Sequence, residues 1–180
     1  MKLSACLIML LVSLLVSSAW AGGDKVDLSA VKALAQHPVD EILVKSSVSN
    51  IEIARYWKEV RSRNRPMIVF FYANIDGPSQ RLATLVLYVA REYANRIDFR
   101  CVKVVEKGHP SREEAKRLDA QFSLDSTPGV LFYDNVGDRL ILEKEGYIDA
   151  DYKEFRTPQM ALWKIYYAEV EKQLNKLLAD

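Results

Sequence analysis

The chain predicts an α/β domain built around a mixed central sheet. Two observations carry this expectation. Strand-like and helix-like segments alternate along most of the length, which requires crossovers and a parallel portion of sheet. The last two strand-like segments, Gly129 to Tyr133 (GVLFY) and Arg139 to Glu145 (RLILEKE), are separated only by the turn Asp134 to Asp138 (DNVGD), which suits an antiparallel hairpin.

Residues 1–21 read as a signal peptide. Lys2 supplies a positive start, Leu7 to Val16 an apolar run, and Ala19-Trp20-Ala21 a small-x-small cleavage site, so the mature chain is expected to begin at Gly22 and to be exported, periplasmic or secreted. A membrane association is expected only if that segment stays uncleaved. Residues 22–40 form an N-terminal extension with a short helix around Leu28 to Gln36, stopped by His37-Pro38.

The domain proper is expected over 41–180. Glu41 to Lys45 (EILVK) reads as its first strand. Ser49 or Asn50 is placed to cap a helix whose inward positions are Ile53, Ala54, Trp57 and Val60. The basic run Arg61 to Arg65 (RSRNR) then reads as a solvated helix end, its charge suited to the carboxyl-terminal dipole. Met67 to Tyr72 is continuously apolar, as expected of a strand covered on both faces.

Leu82, Leu85, Val86, Val89 and Tyr93 repeat at helical spacing and predict a helix from Gln80 to Ala94. Ile97 to Val105 reads as a strand. His109-Pro110-Ser111 opens a short helix with Ala115, Leu118 and Phe122 inward. Thr127-Pro128 leads into the closing hairpin, and Thr157-Pro158 starts a final helix reaching about Leu178. Its apolar stripe, Trp163, Tyr166, Tyr167, Val170, Leu174 and Leu177, suits packing onto the sheet, with some width left for a partner.

Charge and cysteine content exclude several classes. The 25 basic residues lose Lys2 with the signal segment and are then balanced against 24 acidic ones, so no electrostatic footprint for nucleic acid exists. Of two cysteines, Cys6 lies in the signal segment, which leaves Cys101 without an internal disulfide partner. Cys101 falls within a predicted strand and is expected to be a small buried hydrophobe; a lone reactive thiol is the alternative. Two histidines and one cysteine give no metal-ligand spacing, and no cofactor is expected.

The segment Asp76-Gly77-Pro78-Ser79 stands where the apolar strand hands over to the helix. With the element order and Thr127-Pro128, it resembles the thioredoxin family. Val69 to Leu85 (VFFYANIDGPSQRLATL) is similar to that family's strand, Trp-Cys-Gly-Pro-Cys loop and helix, and Asp125 to Phe132 (DSTPGVLF) to its cis-proline loop and following strand. The matched stretches run from about residue 41 to 147, so a thioredoxin-like fold is implied, with an N-terminal extension and a long C-terminal helix added.

The departures are chemical. Asp76 and Ser79 stand where the family has its two redox cysteines, and Ile75 where it usually has tryptophan. A thiolate held at a helix N-terminus and a resolving thiol are what that redox chemistry requires. Neither is present. Asp76 is instead expected to cap the helix.

The functional expectation is a redox-inactive protein that binds a protein or extended peptide through Asp76, Gly77, Pro78, Ser79, Thr127 and Pro128, with no nucleic acid and no metal. The resemblance implies that Pro128 is cis and that the backbone of Thr127 faces a bound strand. The competing expectation is a thiol-disulfide oxidoreductase working through Cys101 or a partner's thiol. A nucleophilic Ser79 lacks a neighbouring base in the sequence.

Overall fold

The computed structural model describes residues 33–44, 46–124, 126–133 and 139–141, with Lys172, Leu174, Asn175 and Leu178 near the carboxyl end. The expected signal peptide, the turn at 134–138 and nearly all of the final helix lie outside the described residues.

Helix α1 spans Val39–Leu43, strand β1 Ser49–Asn50, a 3-10 turn Ile53–Arg55, α2 Tyr56–Ser62, β2 Met67–Ile75 and α3 Gly77–Tyr93. Strand β3 spans Asp98–Lys107, α4 Arg112–Phe122, β4 Gly129–Tyr133 and β5 Arg139–Ile141. The five strands lie in the order β1-β3-β2-β4-β5. β1 and β2 run parallel to β3, whereas β4 runs antiparallel to β2 and β5 antiparallel to β4. A parallel βαβ portion closed by an antiparallel hairpin, with helices over the sheet, is a thioredoxin-like fold.

β2 is central because its sequence tolerates nothing else. From Met67 to Asn74 every residue is buried, and the side chains alternate between two apolar layers. Ile68, Phe70 and Tyr72 join α1 and α3 on one side, with Leu174 and Leu178 against the same layer. Met67, Val69 and Phe71 join Tyr56, Val60, Leu118 and Phe122 on the other. The α3 stripe behaves as its period requires: Leu82, Leu85, Val86 and Val89 are buried, each contributing on the order of 1.5–3 kcal/mol relative to exposure.

Several local expectations are corrected. The described part of Glu41 to Lys45 is not a strand: Val39–Leu43 is helical, with Pro38 O accepting from Glu41 N at 3.0 Å and Ile42 N at 3.1 Å. Its apolar residues Val39, Ile42 and Leu43 form one stripe packed in the α3 layer, a burial that an edge strand could not supply on both faces. Ser49 and Asn50 form β1 instead of capping α2, because they pair with Arg100 and Cys101 of β3.

The buried face of α2 also differs from the expectation. Tyr56 and Val60 point inward, while Ile53 and Trp57 remain 47% and 41% exposed. At α4, Ser111 is the N-cap and forms a reciprocal capping box with Glu114, so Pro110 lies just before the helix. Leu118 and Phe122 are buried as expected, and Ala115 only half so.

Candidate functional site

The β2–α3 junction is organised by one carboxylate. Asp76 has extended backbone dihedrals, φ −150° and ψ 127°, which turn the strand into the N-cap position of α3. Its Oδ2 accepts from Ser79 N at 3.0 Å and from Ser79 Oγ at 2.9 Å. Gly77 and Pro78 fill the first helical positions, where proline loses no helical hydrogen bond. Gln80 N donates to Asp76 O at 2.9 Å and starts the helical ladder.

Ser79 is an internal strut. It is 0% exposed. Its Oγ accepts from Ala73 N at 3.2 Å while donating to Asp76, so the hydroxyl ties the strand to the cap. A serine with both roles committed and no solvent access cannot serve as a nucleophile without breaking the junction. A Cβ at Gly77 would stand 3.2 Å from Arg81 Nη1, the end of a flexible side chain that folds back over the first turn.

Thr127 and Pro128 come to the same part of the sheet. The peptide bond between them is cis. The pairing of β2 with β4 reaches Phe71 opposite Gly129, so the residues just before Gly129 lie alongside the stretch of β2 that continues to Asp76. Thr127 is only 4% exposed, and its Oγ1 has no hydrogen-bond partner. Beside the junction Ile75 is 42% exposed, one of four large hydrophobic side chains left open among the described residues.

Cys101 is not part of this group. It sits on β3 opposite Phe70 and Asn50, and five positions of β2 separate Phe70 from Ile75, about 17 Å of strand at the usual rise. The thiol is free and 3% exposed. Burial, with the nearby Asp40 charge, pushes it up to about 12, although the Tyr72 hydroxyl acts in the opposite direction. At neutral pH it stays protonated, which is the unreactive form.

A polar network beneath the junction was invisible in the sequence. Tyr72 OH donates to Asp40 Oδ1 at 2.5 Å, and Lys103 Nζ donates to Asp40 Oδ2 at 2.9 Å and meets Glu106 Oε2 at 3.0 Å. Asn74, 5% exposed, donates to Glu106 Oε1 at 2.6 Å and accepts from Asp40 N at 2.9 Å. Burial and the Asp40 hydrogen bond raise Tyr72 well above the usual phenol range. Hydrogen bonds from Asn74 and Lys103 lower Glu106, and those to Asp40 and Glu106 raise Lys103. Gln80 Nε2 donating to His37 O at 2.8 Å adds a link from α3 to the segment before α1.

No sequence signal marks this network, since Asp40 lies 32 residues from Tyr72 and 63 from Lys103. It braces the last residues of β2 on which Asp76 stands. Among the described residues no cluster of three metal-ligating side chains occurs.

No protein-family model and no curated protein matches the chain. Solved structures similar to it include a chloroplastic thioredoxin z, at 23% identity and TM-score 0.43, over 56% of this chain and 82% of that one. Another is full-length ERdj5, at 19% identity and TM-score 0.44, over 58% of this chain; the chain spans 15% of ERdj5. The fold assignment rests on the sheet order and strand directions above.

Proposed function

We propose that this chain is an exported, redox-inactive thioredoxin-like protein that binds a protein or extended peptide at the face formed by Asp76, Gly77, Pro78, Thr127 and Pro128. The carrying observation is the Asp76 cap. A carboxylate occupies the helix N-terminal amide that would otherwise stabilise a thiolate, and the second cysteine position holds a buried hydroxyl. The helix-terminal geometry is kept while the electron-transfer chemistry is absent.

Ile75 supplies an apolar contact at the edge of this face, and the Thr127 backbone precedes β4 where an extended segment can lie alongside it. Ser79 acts from beneath, by holding Asp76. The oxidoreductase reading through Cys101 is disfavoured by the thiol's burial and by its raised protonation range.

The test is quantitative co-purification from native extract using wild type beside Ile75→Asp and Asp76→Arg. Thr127 is too deeply buried for an arginine there to test binding separately from folding. A partner retained by wild type and lost by both folded variants supports the face. Identical partners in all three refute it. Disulfide reduction of insulin that Cys101→Ala abolishes would restore the oxidoreductase reading.

A further inference from the structure

We propose that the outer face of α2 is a docking surface for anionic phospholipid headgroups. It lies over the sheet layer of Phe71 and Phe122, while the Asp76 loop lies at the end of β2. The observation is an inversion of the expected burial. Ile53 and Trp57, four residues apart, stay 47% and 41% exposed although Tyr56 and Val60 of the same segment are buried completely or nearly so. Trp57 is held rather than loose: its ring stacks on Phe122 at 6.0 Å with 26° between planes, and Tyr56 meets it edge-on at 5.1 Å.

Cations frame this aromatic. Arg61, one further turn along, is exposed and donates Nε to the backbone oxygen of Trp57 at 3.1 Å, which keeps a cation on the same stretch of helix. Lys58 follows Trp57 and is exposed. Arg55 is exposed too, and meets Glu52 only at 3.9 Å. The other local acid, Glu59, faces Arg100 at 3.9 Å, which leaves the outer face net positive.

An exposed tryptophan and isoleucine bordered by lysine and arginine match the chemistry of a headgroup layer. The indole sits at the boundary, the aliphatic side chain enters it, and the cationic heads reach phosphate while their stems cover apolar surface. The net positive charge complements an anionic bilayer, and the exposed tryptophan beside it is the residue type that favours the headgroup boundary; an acidic protein partner is the alternative that the test separates.

The test is co-sedimentation of the full chain with vesicles of phosphatidylcholine alone and of phosphatidylcholine with phosphatidylglycerol. Lys2 and the amino terminus, ahead of the apolar run Leu7 to Val16, add a preference for phosphatidylglycerol that wild type and variants share, so the readout is the part of that preference that the variants lose. Wild type is expected to show a preference that falls with salt. Lys58→Gln with Arg61→Gln should lower it roughly thirtyfold, and Trp57→Ala should weaken binding at least about tenfold, with folding checked by circular dichroism. No preference in wild type, an undiminished preference in folded Lys58→Gln with Arg61→Gln, or undiminished binding by folded Trp57→Ala overturns the proposal. Indifference to phosphatidylglycerol combined with capture of polyglutamate through the same side chains overturns it in favour of an acidic protein partner.

Discussion

Replacing Asp76 by alanine should destabilise the domain by about 2–3 kcal/mol. The first part is the cap itself: the Ser79 amide loses its acceptor at 3.0 Å, a change typically worth about 1 kcal/mol. The second part comes from burial. Ser79 is 0% exposed, so its hydroxyl, which donates to Asp76 at 2.9 Å, has no water to turn to. A buried donor left unmade costs roughly 1–3 kcal/mol, and the hydroxyl recovers part of this by rotating. Asp76→Asn keeps an acceptor and should cost under about 1 kcal/mol.

Urea unfolding followed by far-ultraviolet circular dichroism measures these differences, and the paired variant Ser79→Ala completes a double-mutant cycle. The two single losses should be less than additive by about 1 kcal/mol or more, because both remove the same contact. Strict additivity would refute the coupling of cap and strut. An Asp76→Ala variant as stable as wild type would refute the capping role of the carboxylate.

Stability should fall on the alkaline side. Cys101 is held up to about 12 in the folded chain against 9.0 for an ordinary thiol, so above pH 9 the unfolded state sheds this proton first, and folding is opposed. The loss should reach about 1 kcal/mol by pH 10, with Tyr72 adding above that, and Cys101→Ala should flatten the slope in unfolding measured against pH. Iodoacetamide labelling of native protein should be slow until denaturant is added. Gly129→Ala should cost roughly 1–3 kcal/mol in the same urea assay, since its Cβ would stand 2.8 Å from Leu124 Cδ2 inside a filled layer. Asp40→Ala should cost about 1–2 kcal/mol, mainly through the stranded Tyr72 hydroxyl, because the half-exposed Lys103 pair is screened.

How much was legible follows from the range of each interaction. The β2 run and the α3 stripe were readable because their periods are local and their burial continuous: Met67 to Phe71 could only be central, and Leu82, Leu85, Val86 and Val89 could only face one layer. The Asp76 cap was readable for the same reason, its acceptor and donor being three residues apart. The sequence by itself thus determined the strand–cap–helix junction, the absence of a thiol from it and the capping role of Asp76.

Where a segment's own pattern was ambiguous, tertiary contacts decided. EILVK has too few residues to separate a short strand from a helix, and packing on α3 selected the helix. The 3-10 turn and α2 together carry Ile53, Tyr56, Trp57 and Val60 on adjoining faces; which pair is buried depended on the space that Phe71, Phe122 and Tyr133 leave for Tyr56. The bracing of β2 by Asp40, Lys103, Glu106 and Asn74 has no local counterpart, because its partners meet only once α1 and β3 are assembled around β2. Periodicity and capping report bonds between near neighbours, whereas side-chain networks and the choice of exposed face arise from the geometry of the assembled layers.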